Sequence, residues 1–337
     1  MNFVGIDLHK KTISLCVVGQ DRTVLERRRF WCDRPQEISA FFRGLGTFQA
    51  VVEATASYEW LVSLIEPLAD RVVLAHPKKL RIIAESTRKS DRLDAQCLAE
   101  FLALDMIPQS YRPSKRERAH RILVRQRCYL SRRITSVRNK IRRIMSNYNA
   151  DREDLFSEKG LVYLSKTVVL KADRFAIDQL LTEWRLYTEQ LRQADQALAE
   201  FAKSAPTREA EARELLGTIP YVGPVTIDVV ISELGDVRRF RSQKKVCAYA
   251  GLAPGQRESA GRTRELSITK EGSGVLRWVL VQAAWRLVYR TARWRALFEK
   301  ITNRRGKKKA IVAMARRLLC MMASMLQNGQ RYHAGMA

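Results

Sequence analysis

The sequence contains few of the residues that build zinc or disulfide sites. Its six cysteines lie at positions 16, 32, 97, 128, 247 and 320 without a Cys-x-x-Cys pair, and its four histidines are equally dispersed. Closely spaced cysteines and histidines mark zinc sites, and dense cysteine frameworks mark small secreted proteins. Both classes are therefore excluded, and the scattered thiols fit a reducing compartment.

Long uncharged runs are also missing. A membrane-spanning helix needs about 18 or more apolar residues in succession, and Arg316-Arg317 interrupts the best candidate. A secretory leader needs an apolar run after a basic start, but charged residues at positions 7 and 9–11 break the N-terminus. The sequence therefore predicts a cytoplasmic protein with no membrane partner.

Negative charge is scarce and unevenly spread over the 337 residues. Lys and Arg number 61 against 35 Asp and Glu, which gives a net charge of +26. Residues 1–111 are nearly neutral with 15 basic and 14 acidic side chains, whereas residues 112–149 carry 13 and one, and residues 286–317 carry 12 and one. Such an excess indicates a polyanionic partner, with membrane surfaces and ribosomes as alternatives to DNA or RNA. The length allows two or three domains.

The first 105 residues show the pattern of an α/β domain. Period-2 apolar runs and turn residues predict strands, and apolar residues three or four apart predict helices. The predicted strands are 2–8, 12–18, 22–31, 48–53 and 72–75, and the predicted helices are 35–44, 57–69, 77–85 and 92–105. With the last two helices counted as one step, this is the β-β-β-α-β-α-β-α order of a ribonuclease-H-like domain.

Four acids occupy the positions where that order brings strand ends and a helix together. Asp7 lies in the first strand, Glu53 ends a later strand, and Asp91 and Asp94 share one face of a helix start. Each acid alone has an ordinary explanation, such as a hydrogen-bonded strand edge or first-turn charge. Together they would repel one another without a cation, and hard oxygen ligands suit Mg²⁺ or Mn²⁺. We expect a metal site at these four residues.

The middle of the chain is predicted to form a helical hairpin. One apolar stripe runs from Leu123 to Ile144 and another from Ile177 to Phe201, both with heptad-like spacing, so two long helices should pack on each other or on a second subunit. The connecting segment, about 150–172, is acidic and then apolar. Away from its stripe the first helix is mostly basic, which indicates phosphate contact rather than a solvated face. The candidate contacts are Arg132, Arg133, Arg138, Arg142 and Arg143.

Two segments of the last third carry further candidates. The run Ile219-Pro220-Tyr221-Val222-Gly223-Pro224 resembles a helix-hairpin-helix element, in which Gly223 would shape a turn that presents backbone N–H groups to a phosphate. An ordinary connection between two helices is the alternative. Between a helix at 239–249 and one beginning near Gly274, residues 255–272 read as a polar loop. Its candidate residues are Ser259 and three cations that could contact nucleic acid, Arg257, Arg262 and Lys270.

The combination of motifs resembles the insertion-sequence "one-ten" transposases, relatives of the Piv/MooV invertases that include bridge-RNA-guided recombinases. The matching segments are Gly5-Ile6-Asp7-Leu8-His9, Val52-Glu53-Ala54-Thr55, Lys89-Ser90-Asp91-Arg92-Leu93-Asp94-Ala95, Ile219-Pro220-Tyr221-Val222-Gly223-Pro224, Gly251-Leu252-Ala253-Pro254, Ser259-Ala260-Gly261, Ile268-Thr269-Lys270-Glu271-Gly272, and Leu276-Arg277. The resemblance implies that the four acids hold metal and that Ser259, rather than Ser267 or Ser273, is the covalent nucleophile. It also implies a structured guide RNA and a homo-oligomer, a dimer or tetramer, in a bacterial nucleoid setting.

The sequence thus predicts a DNA transposase or recombinase with three domains. These are a RuvC-like catalytic domain over 1–110, a basic helical hairpin over 111–205, and a mainly helical C-terminal domain over 206–330. Two other functions fit the residues. A metal-dependent nuclease or junction resolvase would use water in place of Ser259, and a non-catalytic nucleic-acid-binding protein would use the acids only structurally.

Overall fold

The computed structural model describes residues 1–54, 57–83, 91–259, 262–333 and 335, without the side chains of 81–83, 91–93, 256–259 and 262–265. The chain divides into two compact units, Met1–Arg112 and Pro113–Ala337. The first corresponds closely to the predicted catalytic domain. The further division of the second at residue 205 remains a prediction.

The first unit contains a five-stranded mixed sheet. Its strands are β1 (Asn2–Leu8), β2 (Thr12–Val18), β3 (Val24–Trp31), β4 (Phe48–Glu53) and β5 (Arg71–Ala75). They lie in the order β3-β2-β1-β4-β5, with β1, β2 and β3 antiparallel and β1, β4 and β5 parallel. The inner strands are built from Val, Ile and Leu because both of their faces are covered.

Helices cover the two faces of this sheet. They are α1 (Pro35–Gly44), α2 (Glu59–Ile65), α3 (Pro77–Ile83) and α4 (Asp91–Ala103). Side chains of α1 and α2 form a core with one face of the sheet, and α4 packs on the other face. The predicted order of elements is confirmed. Helix α2 is shorter than the predicted 57–69 because Pro67 follows directly and cannot continue a helix.

The second unit begins with the predicted helical hairpin. Helices α5 (Lys115–Asn147) and α7 (Lys171–Lys203) pack along each other. A capping box of Ser114 and Glu117 starts α5. The segment 150–172, predicted only as a connection, contains the helix α6 (Glu158–Lys166), which is capped by Ser157 and buries Leu164. The prediction missed α6 because a helix of only nine residues shows little apolar periodicity.

The remainder of the second unit is mainly helical. Its helices are α8 (Thr207–Gly217), α9 (Pro224–Leu234), α10 (Gln243–Tyr249), α11 (Gly274–Arg290), α12 (Ala292–Arg305) and α13 (Lys307–Asn328). The predicted helix 239–249 is instead a 3₁₀ turn, Val237–Arg239, followed by α10, because Asp236 caps the turn and Phe240 is extended. Trp294 and Met322 lie in the core, to which the hairpin contributes Val124, Cys128 and Leu198.

Helix α13 is the core helix of this unit. Among the described residues it is the one helix long and apolar enough to cross a membrane by length and composition. Ten of its side chains, from Ala310 to Met325, are buried in the protein. Its apolar character is therefore accounted for by core packing.

The segment predicted as a polar loop is a two-stranded antiparallel hairpin. Strand β6 (Pro254–Ser259) pairs with β7 (Arg262–Ile268), and Ser259 lies opposite Arg262. The loop prediction is therefore wrong for most of 255–272. Arg, Glu and Ser have low strand propensity, and here the backbone hydrogen bonds between the strands override it.

Candidate active site and nucleic-acid interface

Asp7 and Glu53 lie side by side at the end of two neighbouring strands. Strands β1 and β4 are parallel and pair Gly5 with Val51 and Ile6 with Val52, so the next pair in register is Asp7 with Glu53. Paired residues of parallel strands point to the same face, and neighbouring strands are about 4.8 Å apart. The two carboxylates therefore leave the sheet at one point, on the face that α4 covers.

Helix α4 brings Asp94 and Asp91 to that face. A Cβ atom on Gly5 would lie 2.0 Å from Ala95 O and 2.5 Å from Ala99 N, so the helix backbone rests directly on the glycine. Phe3, two residues earlier on the same face, packs against the cluster that contains Leu98 and Leu102. The helix therefore runs antiparallel to β1, and its first turn lies toward Asp7. Asp94 is exposed there, and Asp91 is the first helical residue, although its side chain lies outside the description.

His9 is a neighbour of this site that the sequence interpretation did not assign. Its Nε2 lies 3.0 Å from Oδ2 of Asp7, whose side chain is only 14% exposed. A histidine in contact with a carboxylate fixes its orientation. Ser14 pairs with Asp7 across β1 and β2 and therefore shares its face of the sheet. The spacing of two residues at the end of a strand was the one signal that could have identified His9.

The donor set at the strand ends suits a hard divalent cation. The two paired groups are carboxylates, and Mg²⁺ is commonly held by one or two carboxylates together with waters and substrate phosphate oxygens. Among the side chains that the structure describes, which exclude that of Asp91, no three acids, histidines or cysteines form a metal cluster. Asp7 and Glu53 have the chemistry of Mg²⁺ ligands, and the four-acid metal site remains a prediction.

Ser259 ends the first strand of the β6–β7 hairpin. It pairs with Arg262 at one end of the two-stranded ladder, and its side chain, like those of Arg257 and Arg262, lies outside the description. Ser273 has another role, since its hydroxyl accepts a hydrogen bond from Leu276 N at the start of α11. Ser267 is exposed in β7 and Lys270 is exposed beyond it. The structure therefore separates the three serines into the last residue of β6, a residue within β7 and a helix cap.

The base of the hairpin is closed by two glycines and an arginine. A Cβ on Gly251 would lie 1.9 Å from Glu271 O, and one on Gly272 would lie 2.0 Å from Tyr249 O. Nη1 of Arg277 donates to the carbonyls of Ala250 at 3.1 Å and Glu271 at 2.9 Å. Arg277, which belongs to a segment that matches the family but was assigned no role from the sequence, therefore ties α10, the hairpin and α11 together.

The α8–α9 connection has a different geometry from the one predicted. The left-handed residue is Tyr221, at φ 61°, whereas Gly223 is extended at φ −86° and serves as the N-cap of α9. The prediction that Gly223 shapes the turn is wrong in this respect. No atom lies within 4 Å of a Cβ on Gly223, so this side of the turn is open. Phosphate binding there remains a prediction.

A buried network of charges holds α8 and α9 against α5. His120 Nε2 lies 2.9 Å from Asp228 Oδ1, to which Arg213 also donates, and Glu209 accepts from Arg213 and Arg116. Burial alone would raise the pKa of Glu209, but the hydrogen bonds from Arg116 and Arg213 lower it below its usual value. The network fixes the connection between α8 and α9 relative to the basic helix.

The basic face of α5 divides into engaged and exposed residues. Arg133 donates to Tyr187, Arg138 lies over the ring of Phe156, and Arg142 bonds Asp151. These three candidates therefore have partners inside the protein. Arg132 and Arg143 are exposed, and they make no ion pair with the described part of the chain. They remain the two candidates best placed for phosphate contact.

Two models of transposase families match the chain. The model of the IS116/IS110/IS902 transposase family matches residues 213–299, and the model of the DEDD transposase domain of the IS110 group matches residues 4–150. The chain belongs to the IS110/IS116/IS902 transposase family. The first match covers the α8–α9 connection, the β6–β7 hairpin and Arg277, and the second covers Asp7, Glu53, Asp91 and Asp94.

Relatives that match over nearly their whole length support the assignment of this chain as a transposase. The transposase for insertion sequence element IS1111A of Coxiella burnetii is 24% identical over 345 residues, 99% of this chain and 92% of the relative. The pilin gene-inverting protein of Moraxella bovis is 24% identical over 351 residues, covering 98% and 97% of the two chains. A probable family 20 transposase of Pseudomonas aeruginosa is 24% identical, with 98% of each chain covered. The protein is therefore a DNA transposase, an enzyme that acts on DNA.

Proposed function

We propose that this transposase cuts and rejoins DNA strands by serine phosphoryl transfer. In this proposal Asp7, Glu53, Asp91 and Asp94 hold Mg²⁺ or Mn²⁺ in a RuvC-like domain, and Ser259 is the nucleophile. The observation that carries it is the register of β1 and β4, whose last pair, Ile6 with Val52, comes directly before Asp7 and Glu53, together with the helix that rests on Gly5. The mixed sheet and its element order support the RuvC type of ribonuclease-H-like fold.

The chemistry exchanges one phosphodiester for another. The hydroxyl oxygen of Ser259 attacks the scissile phosphorus, the O–P bond to serine forms, and the bond to one sugar oxygen breaks as that oxygen takes up a proton. A second DNA end then reverses the step and releases the serine, so no ATP is consumed. Bound Mg²⁺ would stabilise the negative charge on the phosphate oxygens. His9 would hold the Asp7 carboxylate in its orientation.

The hairpin around Ser259 supplies basic groups for the same phosphate. Arg257 and Arg262 belong to its two strands and Lys270 to its base. Donors fixed before the reaction stabilise charge that develops in the transition state. The clamp of Arg277 on the carbonyls of Ala250 and Glu271 would limit the movement of the strands that carry them.

The wider basic surface would hold the nucleic acids. We assign Arg132 and Arg143 of α5 to phosphate contacts, together with Gly223 at the α8–α9 connection. A structured RNA encoded by the element would pair with target and donor DNA, and a homo-oligomer would supply the sites for several strands. The RNA component is tested by purifying the protein and sequencing the RNA bound to it. We expect a non-coding transcript from beside the gene, and ribonuclease treatment should remove it.

The central test is the trapping of a protein–DNA adduct. The full-length protein is incubated with Mg²⁺ and a plasmid carrying the ends of its own element, and DNA that stays attached to denatured protein is measured. We expect the wild type to give the adduct. Asp7→Asn and Glu53→Gln should abolish both the adduct and strand exchange, while nucleic-acid affinity changes little.

Serine variants separate the possible nucleophiles. Ser259→Ala should lose the adduct, whereas Ser267→Ala, the matched exposed serine of the same hairpin, should retain it. Cleaved ends without any adduct would point to attack by water, as in a resolvase. Binding without cleavage would point to a purely architectural protein, and an adduct in Ser259→Ala would assign the nucleophile to another residue.

A further inference from the structure

Two cysteines far apart in the sequence meet in the core of the second unit. Cys247 lies on α10 and Cys320 on α13, and their Sγ atoms are 3.3 Å apart. Cys247 is fully buried, and Cys320 is partly exposed. The two helices pack on each other, so the contact is part of the folded core. Two sulfurs in contact at this distance are placed to react with each other.

The surroundings of the pair activate one sulfur. The pKa of Cys247 is lowered because Cys320 donates a hydrogen bond to it and Arg316 contributes a further bond and positive charge, which together outweigh burial. The pKa of Cys320 is raised, mainly because its proton is engaged with Cys247. A thiolate, not a thiol, is the species that attacks an oxidant. The pair therefore shares one proton and one negative charge.

We propose that Cys247 and Cys320 are a redox-active dithiol, and that its conversion to a disulfide by a peroxide lowers the activity of the transposase. A thiolate attacks one oxygen of hydrogen peroxide, an S–O bond forms, and hydroxide leaves. The second thiol then attacks the sulfenic sulfur, the S–S bond forms, and the oxygen leaves as water. The two thiols lose two electrons, the peroxide gains two, and the thiol protons end in water.

The buried Cys247 can be oxidised through its contact with Cys320, which is partly exposed to solvent. Peroxide is small and can reach the pair from the side of Cys320, the more exposed of the two. Transfer of the shared proton along the 3.3 Å contact would place the negative charge on that sulfur, where Arg317 also favours it. Oxidation therefore does not require the core to open.

The position of Cys247 explains why oxidation would affect activity. Helix α10 ends two residues later at Tyr249, whose carbonyl touches Gly272, and the next carbonyl, that of Ala250, is held by Arg277. A disulfide has a sulfur–sulfur distance of about 2.05 Å, so its formation would draw the sulfurs together by roughly 1.2 Å. That displacement would be transmitted to the base of the β6–β7 hairpin. This step rests on the proposed role of the hairpin in strand exchange.

The test begins with mapping of the thiols. The folded protein is treated with hydrogen peroxide, free thiols are blocked with an alkylating reagent, and peptides are identified by mass spectrometry. We expect a cross-linked peptide that joins Cys247 to Cys320 and disappears on reduction. When the protein is treated with peroxide in denaturant, the Cys247–Cys320 cross-link should no longer predominate over other cysteine pairs. Alkylation of both cysteines after peroxide treatment of the folded protein would overturn the proposal.

Activity is measured on the same samples, relative to the reduced protein. Strand exchange should fall at least severalfold on oxidation and return with dithiothreitol. Cys320→Ala and Cys247→Ala should each make activity insensitive to peroxide, whereas the control Cys32→Ser should respond like the wild type. A disulfide that leaves strand exchange unchanged would contradict the switch. If Ser259 proved not to be the nucleophile, the switch would not be contradicted, because the reduced protein would still exchange strands with another residue as the nucleophile.

Discussion

Substitution of Gly5 by alanine separates the packing of α4 from the charges of the acid site. The change adds one methyl group and removes no carboxylate. In the structure that methyl would lie 2.0 Å from Ala95 O and 2.5 Å from Ala99 N. Because both atoms belong to the backbone of a helix, no side-chain rotation can relieve the overlap. The helix that carries Asp91 and Asp94 must therefore move away from β1.

The size of the effect follows from these distances. A carbon atom in ordinary contact sits about 3.5 Å from its neighbour, so α4 must retreat by roughly 1.5 Å. Overpacking of this kind costs about 1–3 kcal/mol. For a unit of this length that corresponds to a fall in Tm on the order of 10 °C. A displacement of about 1 Å in a catalytic group can cost about 100-fold in rate, so strand exchange should fall by at least that factor.

The assay compares Gly5→Ala with Gly44→Ala, a substitution in the same unit. No atom lies within 4 Å of a Cβ on Gly44, which is the last residue of α1. Alanine there should be neutral or stabilising by up to about 1 kcal/mol. Calorimetry gives Tm, and strand exchange is measured well below it, with nucleic-acid affinity as a control for folding. If Gly5→Ala matched Gly44→Ala in both quantities, the close packing of α4 on β1 and its role in building the site would be refuted.

Two further predictions concern the second unit. Replacing Arg132 and Arg143 with Gln should weaken nucleic-acid binding and reduce the slope of log K against log salt concentration by about 0.7–0.9 per lost contact. Arg142→Gln should lower Tm and leave that slope unchanged. Equal slopes in all variants would show that the exposed face of α5 contacts only solvent. The folded-state pKa of Glu209 is lowered, so its contribution to stability is present above the unfolded pKa of about 4.3 and is lost as the pH falls through the folded value. Glu209→Gln should therefore lower Tm at neutral pH, and its Tm should fall less than that of the wild type on acidification. Parallel curves of Tm against pH for the variant and the wild type would contradict this.

The first unit was predictable because its signals are local. Short apolar runs identify β1 and β2, and Asp7 and Glu53 were recognisable as acids at or near the ends of such runs. The ends of elements were less predictable. Pro67 shortens α2 although the apolar pattern continues beyond it.

The misses share a physical origin in contacts between distant segments. The polar strands β6 and β7 exist because their backbones pair, and no apolar alternation reveals this. The partners of the basic helix were equally hidden. Arg125 is paired with the buried Glu233, which is 108 residues away. Charge counting correctly identified a basic segment but could not say which of its cations are already engaged within the fold.

The two arms of the hairpin have the same length, since α5 and α7 each contain 33 residues. At a rise of 1.5 Å per residue, each arm is about 50 Å long. Removing two turns from one arm alone would leave the apolar stripe of the other facing water over about 10 Å. Insertions and deletions in this region should therefore survive in evolution as matched pairs, one in each arm. The lengths of the two arms are therefore coupled, and we expect them to be equal in relatives whose hairpin is longer or shorter.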